Sequence, residues 1–131
     1  MLNTSKISEF QTYIMDNKPD IVILNETWLS KNINDSEIFP NETYKVFRLD
    51  RSLKTHPMDE SDPDKYRKAG GGILIAIKSE LDCESTKINI SCKAEILSVE
   101  LNLGSGKCIC LCTFYRVGTL GAENHRAVDN Y

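Results

Sequence analysis

No apolar stretch in these 131 residues approaches the roughly 18 that a membrane-spanning helix needs, so no span is expected. The first 30 residues also lack a basic start followed by an apolar run, and no secretory leader is read there. An excess of positive charge is missing as well. Sixteen Lys and Arg stand against nineteen Asp and Glu, a net charge of −3, which excludes an overall basic field for polyanions and requires any nucleic-acid contact to be local. There is no internal repeat and no low-complexity tract. Cysteine is present, but in an odd number, five, which argues for a reducing, intracellular compartment rather than a disulfide framework. Cys108, Cys110 and Cys112 alternate along one apolar run, which places them on one face of a strand and not in the turn that zinc sites use. They are expected to be buried, reduced thiols. The sequons at Asn25, Asn41 and Asn89 carry no meaning for glycosylation in such a compartment. What remains, 40% hydrophobic and 27% charged positions, is the composition of one folded domain.

Hydrophobic periodicity orders the chain. Ile7, Phe10, Ile14 and Met15 recur at helical spacing after Thr4 or Ser5 as N-cap, and the helix is expected to end near Asn17, before the break at Lys18-Pro19-Asp20. Ile21 to Leu24 is a continuous β-branched run that suits a strand buried on both faces. Residues 30–43 are polar, hold Pro40 and show no period, so they read as a loop. Tyr44, Val46 and Phe47 begin another strand, and Ser52 to Ala69 forms a polar segment longer than most loops of compact domains. Gly70-Gly71-Gly72 then introduces Ile73 to Ile77, again apolar on both faces. Lys87 to Ser91 is a weak strand candidate, and residues 96–115 read as a hairpin turning at Gly104-Ser105-Gly106. Ala122 to Tyr131 could begin a helix. One helix feeding a buried strand, followed by strands with short turns and no repeated βαβ winding, predicts an α+β fold of mixed layers.

Several nucleotide and metal motifs are excluded by spacing. The three glycines form neither G-x-G-x-x-G nor a Walker A loop, and are better explained by close backbone approach or a bulge. The acidic stretch from Asp59 to Asp64 lacks the glycine and distal glutamate of an EF-hand. Glu26 is the informative position. It lies just beyond a fully apolar strand, where layered α/β proteins bind ligands, and a carboxylate there is a hard oxygen ligand suited to Mg²⁺ shared with waters and a phosphate.

A wider pattern contains that glutamate. The segments KPDIVILNETWLS (18–30), YKVFRLDRS (44–52), GGGILIAIK (70–78), ILSVEL (96–101) and CTFYRVGTLG (112–121) resemble, in order and over essentially the whole chain, the endonuclease/exonuclease/phosphatase superfamily in the version found in non-LTR (LINE-type) retrotransposons. The resemblance implies a partial DNase I-like four-layer α-β-β-α sandwich. It implies further that Glu26 is the metal-binding glutamate, that Tyr115 is the tyrosine whose hydroxyl contacts the phosphate near the attacking water, and that Arg48, Asp50 and Arg51 lie near the nucleic-acid face. Trp28 matches an aromatic position of the family and is expected to serve core packing. The implied partners are DNA and a reverse-transcriptase domain downstream in the same protein, with Mg²⁺ as cofactor and action in the nucleus.

Departures from the pattern set the expectation for activity. The family's first strand supplies an asparagine to the metal site, but this chain matches only from the following helix, and Asn3 is no clear substitute. Neither G-D-F-N nor S-D-H, which carry the family's remaining catalytic groups, occurs here, and His56 and His125 match neither position. Such constellations act as a unit, and a general base alone contributes about 10²- to 10⁴-fold. Residues 1–131 are therefore expected to be a single partial domain lacking the first strand and the C-terminal half, poorly soluble when expressed alone. Two alternatives accompany the endonuclease: a non-catalytic remnant or binding module derived from that domain, and another phosphodiesterase or phosphatase branch of the superfamily.

Overall fold

A computed structural model describes residues 2, 4–51, 71–88 and 94–116. The expectations for Ser52 to Ala69, for His56 and His125, for residues 89–91 and for Ala122 to Tyr131 fall outside that set. Within it the chain forms an α+β fold, two three-stranded antiparallel sheets with helices on one of them.

Helix α1 spans Thr4–Asn17. Its end is closed by a left-handed Lys18 (φ 46°) and by Asn17, whose side-chain amide donates to the Tyr13 carbonyl at 2.9 Å, one of the acceptors a helix end leaves open. Ile14 is the buried anchor of its apolar face, while Met15, expected on that face, is 64% exposed. The first sheet contains β1 (Ile21–Asn25), β2 (Tyr44–Leu49) and β3 (Ile73–Lys78) in the order β1-β3-β2. Both neighbours pair with the centre in register, Ile23 and Phe47 each opposite Ile75. Because side chains alternate along a strand, β3 feeds two cores. Leu74 and Ala76 pack outward with Val22 and Tyr44 against Ile14, Leu29, Ile38 and Phe39. Ile75 and Ile77 pack inward against Val99 and Leu101. Ile73 to Ile77 are all fully buried, as the unbroken apolar run predicts. At the edge, β1 falls short of burial on both faces, with Ile23 44% exposed.

The second sheet is β4 (Cys83–Thr86), β5 (Glu95–Gly104) and β6 (Lys107–Tyr115), with β5 at its centre. The hairpin appears where it was expected, turning through Ser105 and Gly106. The strand β4, which was not expected, precedes the weak candidate at 87–91, of which only residues 87 and 88 are described; its Cys83 and Thr86 pair with Leu101 and Ser98. Leu97, Val99, Leu101 and Leu111 face the first sheet, so the two sheets pack face to face.

Two further expectations are corrected. Residues 30–43 hold a short helix α2 (Asp35–Ile38) and a 3₁₀ turn (Pro40–Glu42). The Glu37 carboxylate accepts the Asn34 backbone N–H at 2.7 Å, and Phe39 sits edge-on to Phe10, with ring centroids 5.5 Å apart. Two adjacent buried side chains, Ile38 and Phe39, anchor this segment without any periodic signal. The thiols of Cys108, Cys110 and Cys112, expected to be buried, are exposed and in no disulfide. Alternation does put them on one face, but it is the outer face of β6, opposite Asn102, Glu100 and Ser98, and no layer among the described residues covers it.

Candidate functional site at the end of the two sheets

β1 ends at Asn25, and the backbone then takes two unusual steps. Glu26 (φ 56°) and Trp28 (φ 58°) both adopt the left-handed conformation, which costs a residue with a Cβ about 1–2 kcal/mol each. The cost is sustained by bonds from the segment before β3: the Thr27 N–H donates to the Gly72 carbonyl at 3.2 Å and the Trp28 N–H to the Gly71 carbonyl at 2.9 Å. Thr27 and Leu29 are buried beneath. Strain held this firmly next to a carboxylate is a mark of functional sites.

The expected approach of backbone at the glycines is visible here. A Cβ on Gly72 (φ 84°) would lie 2.6 Å from the Thr27 hydroxyl, and one on Gly71 (φ 66°) would overlap the Arg51 guanidinium. Glycine is required at both positions by conformation and by space.

The turn presents Glu26 to the second sheet. Tyr115, the last residue of β6, donates its hydroxyl to Glu26 Oε1 across 89 positions of sequence, and the Trp28 indole N–H donates to Glu26 Oε2 at 2.7 Å. Trp28, expected in core packing, is half-buried and belongs to neither hydrophobic cluster; its polar partner is the Glu26 carboxylate. Beside this pair the Thr113 hydroxyl donates to Asn25 Oδ1 at 2.7 Å. Opposite Tyr115 in the hairpin stands Glu95, a carboxylate 2% exposed. Its Oε2 accepts the Gly72 N–H at 2.7 Å and its Oε1 accepts Arg51 Nε at 2.9 Å. The Arg51 guanidinium lies 5.7 Å from the centre of the Tyr115 ring, within cation–π range, and its Nη2 is buried without a hydrogen-bond partner.

Of the residues singled out in the sequence, the structure therefore brings Glu26, Tyr115 and Arg51 together. Arg48 and Asp50 sit elsewhere. Asp50 accepts from Arg48 Nε at 3.1 Å and from Nη2 at 2.5 Å, while Arg48 also donates to Asp35 (3.0 Å) and to the carbonyls of Ile33 (2.8 Å) and Ser30 (2.7 Å). Burial disfavours the charge on Arg48, but the hydrogen bond and charge of Asp50, with Asp35, outweigh it, and its pKa is raised. Every nitrogen of that guanidinium is occupied within the protein.

Glu95, Asn25 and Thr113 were not singled out in the sequence. Their signal was parity: Glu95 shares the inward face of β5 with Leu97 and Val99, and Thr113 shares that of β6 with Leu111, so a charge and a hydroxyl stand where the alternation calls for apolar residues.

A carboxylate offers about four acceptor positions, and the two donors on Glu26 leave room for a cation. The oxygen-only donor set of Glu26, with Asn25 alongside, suits a hard ion such as Mg²⁺, which commonly takes only one or two protein carboxylates. No group of three or more His, Cys, Asp or Glu side chains able to hold a metal occurs among the described residues. A cation here would complete its shell with water and substrate oxygens. No described helix is long and apolar enough to cross a membrane. No protein-family model matches the chain, and no curated protein matches it.

Proposed function

We propose that the chain is an endonuclease-like portion of an endonuclease/exonuclease/phosphatase domain of the non-LTR retrotransposon type, acting on DNA in the nucleus beside a reverse-transcriptase domain of the same protein. The parent activity is Mg²⁺-dependent phosphodiester hydrolysis that nicks target DNA and leaves a 3′ hydroxyl for reverse transcription. The observation that carries this reading is the meeting of Glu26 and Tyr115 at one end of two facing sheets, since these are the residues that the resemblance assigns to metal and phosphate. The α-β-β layering of the described residues is compatible with part of a DNase I-like four-layer sandwich.

In this reading Glu26 holds the cation with its remaining lone pairs while Trp28 and Tyr115 fix the plane of the carboxylate. When bound, Mg²⁺ supplies Lewis-acid polarisation of the scissile phosphate. Tyr115 has a hydroxyl that can pass from Glu26 to a phosphate oxygen, and Arg51 brings positive charge to the same place.

A second reading, a non-catalytic remnant or binding module of the same origin, is favoured by one observation: the Glu26 carboxylate is already bonded within the protein, by Trp28 and by Tyr115. Plasmid nicking with and without EDTA separates the two. EDTA-sensitive nicking that disappears in Glu26→Gln supports the endonuclease. Absence of nicking together with Mn²⁺ binding that depends on Glu26 supports the remnant.

A further inference from the structure

We propose that Glu95 is the positioning residue of this site, orienting both Glu26 and Tyr115 without touching either substrate or metal. The inference rests on the reading of Glu26 and Tyr115 as the functional pair.

Glu95 is a buried carboxylate at the start of β5, and its two oxygens point to different members of the site. Oε2 takes the Gly72 N–H at 2.7 Å. The Gly71 and Gly72 carbonyls in turn hold Trp28 and Thr27, the residues on the far side of Glu26. This chain of bonds ends in the left-handed turn that aims Glu26 toward β6, a turn that local preference opposes and that must be imposed from outside. Oε1 takes Arg51 Nε at 2.9 Å, and the guanidinium so held lies against the Tyr115 ring and against the bare Cα of Gly71. One carboxylate thus fixes the Glu26 turn from below and the Tyr115 ring from the side. It comes from the second sheet and grips the first, so it also sets the spacing at which the hydroxyl of Tyr115 meets Glu26.

A core ion pair with no bearing on the site would need only the Arg51 contact. The bond to Gly72 is the additional feature, because it places an oxygen on the segment before β3 whose carbonyls hold the turn that carries Glu26. Outer groups that orient metal ligands typically affect metal affinity by about 10- to 100-fold, and Glu95 stands in that relation to Glu26.

The chain contains one tryptophan, and its indole N–H donates to Glu26, so the single indole resonance in a ¹H–¹⁵N spectrum reports the position of that carboxylate. Glu26→Gln is the reference shift. Glu95→Gln, which presents an amide N–H₂ where Gly72 or Arg51 needs an acceptor, is expected to move the indole resonance by a comparable amount. It is also expected to weaken Mn²⁺ binding about 10-fold or more. Val99→Ala, which thins the core between the sheets, is expected to lower the melting temperature and leave the resonance and the Mn²⁺ affinity in place. Should Glu95→Gln fail to fold, Arg51→Lys, which removes the Nε donor and the flat cation beside Tyr115, is expected to move the same resonance. An indole signal unmoved in Glu95→Gln and Arg51→Lys, or moved equally by Val99→Ala, overturns the proposal. If the wild-type chain binds no Mn²⁺ while the indole still responds to Glu95→Gln, the positioning role stands and the metal reading of Glu26 falls.

Discussion

Arg48, near the end of β2, and Arg51, just beyond it, stand three residues apart and end in opposite circumstances. Arg48 is a fastening: its guanidinium joins Asp50, Asp35 and two loop carbonyls, and no donor is left over. Among the described residues, Arg51 is bound by its Nε to Glu95 and lies against an aromatic ring, and its Nη2 is buried and unpaired. Buried polar groups are nearly always satisfied, so the contrast is informative. At the Arg48 corner the chain has met every demand of its polar groups, as a structural joint should. At the Arg51 corner it tolerates an unmet donor, two left-handed residues and a buried carboxylate within one small volume. On the proposed reading, the first corner holds the fold together and the second serves the site.

The comparison can be broken by substitution. The largest effect is expected for Glu26→Gln, which should abolish Mn²⁺ binding measured by titration, since even indirect partners of a metal ligand are worth about 10- to 100-fold. It should leave the urea midpoint near that of the wild type. Arg48→Ala should do the reverse. Removing one partner of a largely buried ion pair costs about 3 kcal/mol, visible in urea denaturation, with Mn²⁺ affinity unchanged. Arg48→Ala lowering metal affinity as much as stability would erase the distinction between the corners. Gly71→Ala should report on both properties at once. The added methyl is strained at φ 66° and displaces the Arg51 guanidinium, for an expected loss of about 2 kcal/mol together with a severalfold fall in Mn²⁺ affinity. The smallest change is expected for Cys110→Ser. This thiol is exposed, and its contact is to Ser98 Oγ at 3.2 Å, so the melting curve should shift by less than about 0.5 kcal/mol and the site should not respond.

How far the sequence could be read differs between these same regions. The run Ile73 to Ile77 specifies a strand covered on both sides because nothing polar interrupts it, and the structure buries all of it. Glu26 could be picked out because a carboxylate following such a run marks a strand end. The division of labour between Arg48 and Arg51 could not, since it depends on which acceptors the fold delivers, and those come from residues 30–35 in one case and from Glu95 in the other. Helix α2 was missed because a two-residue anchor has no period. The thiols of β6 were assigned to the correct common face and to the wrong side of it, because alternation along a strand fixes which residues travel together and leaves open which way they point.

The side they do point to has a practical consequence. β6 is an outer strand of its sheet among the described residues, with Phe114 69% exposed on the same face as Cys108, Cys110 and Cys112. An unpaired strand edge invites a second copy to add to it, and three accessible sulfurs beside that edge can turn a passing encounter into a covalent one. Air oxidation during purification would then record as permanent oligomers what is only transient stickiness. Reductant in every buffer, or the triple serine replacement of these three cysteines, turns an irreversible history into an equilibrium that can be measured.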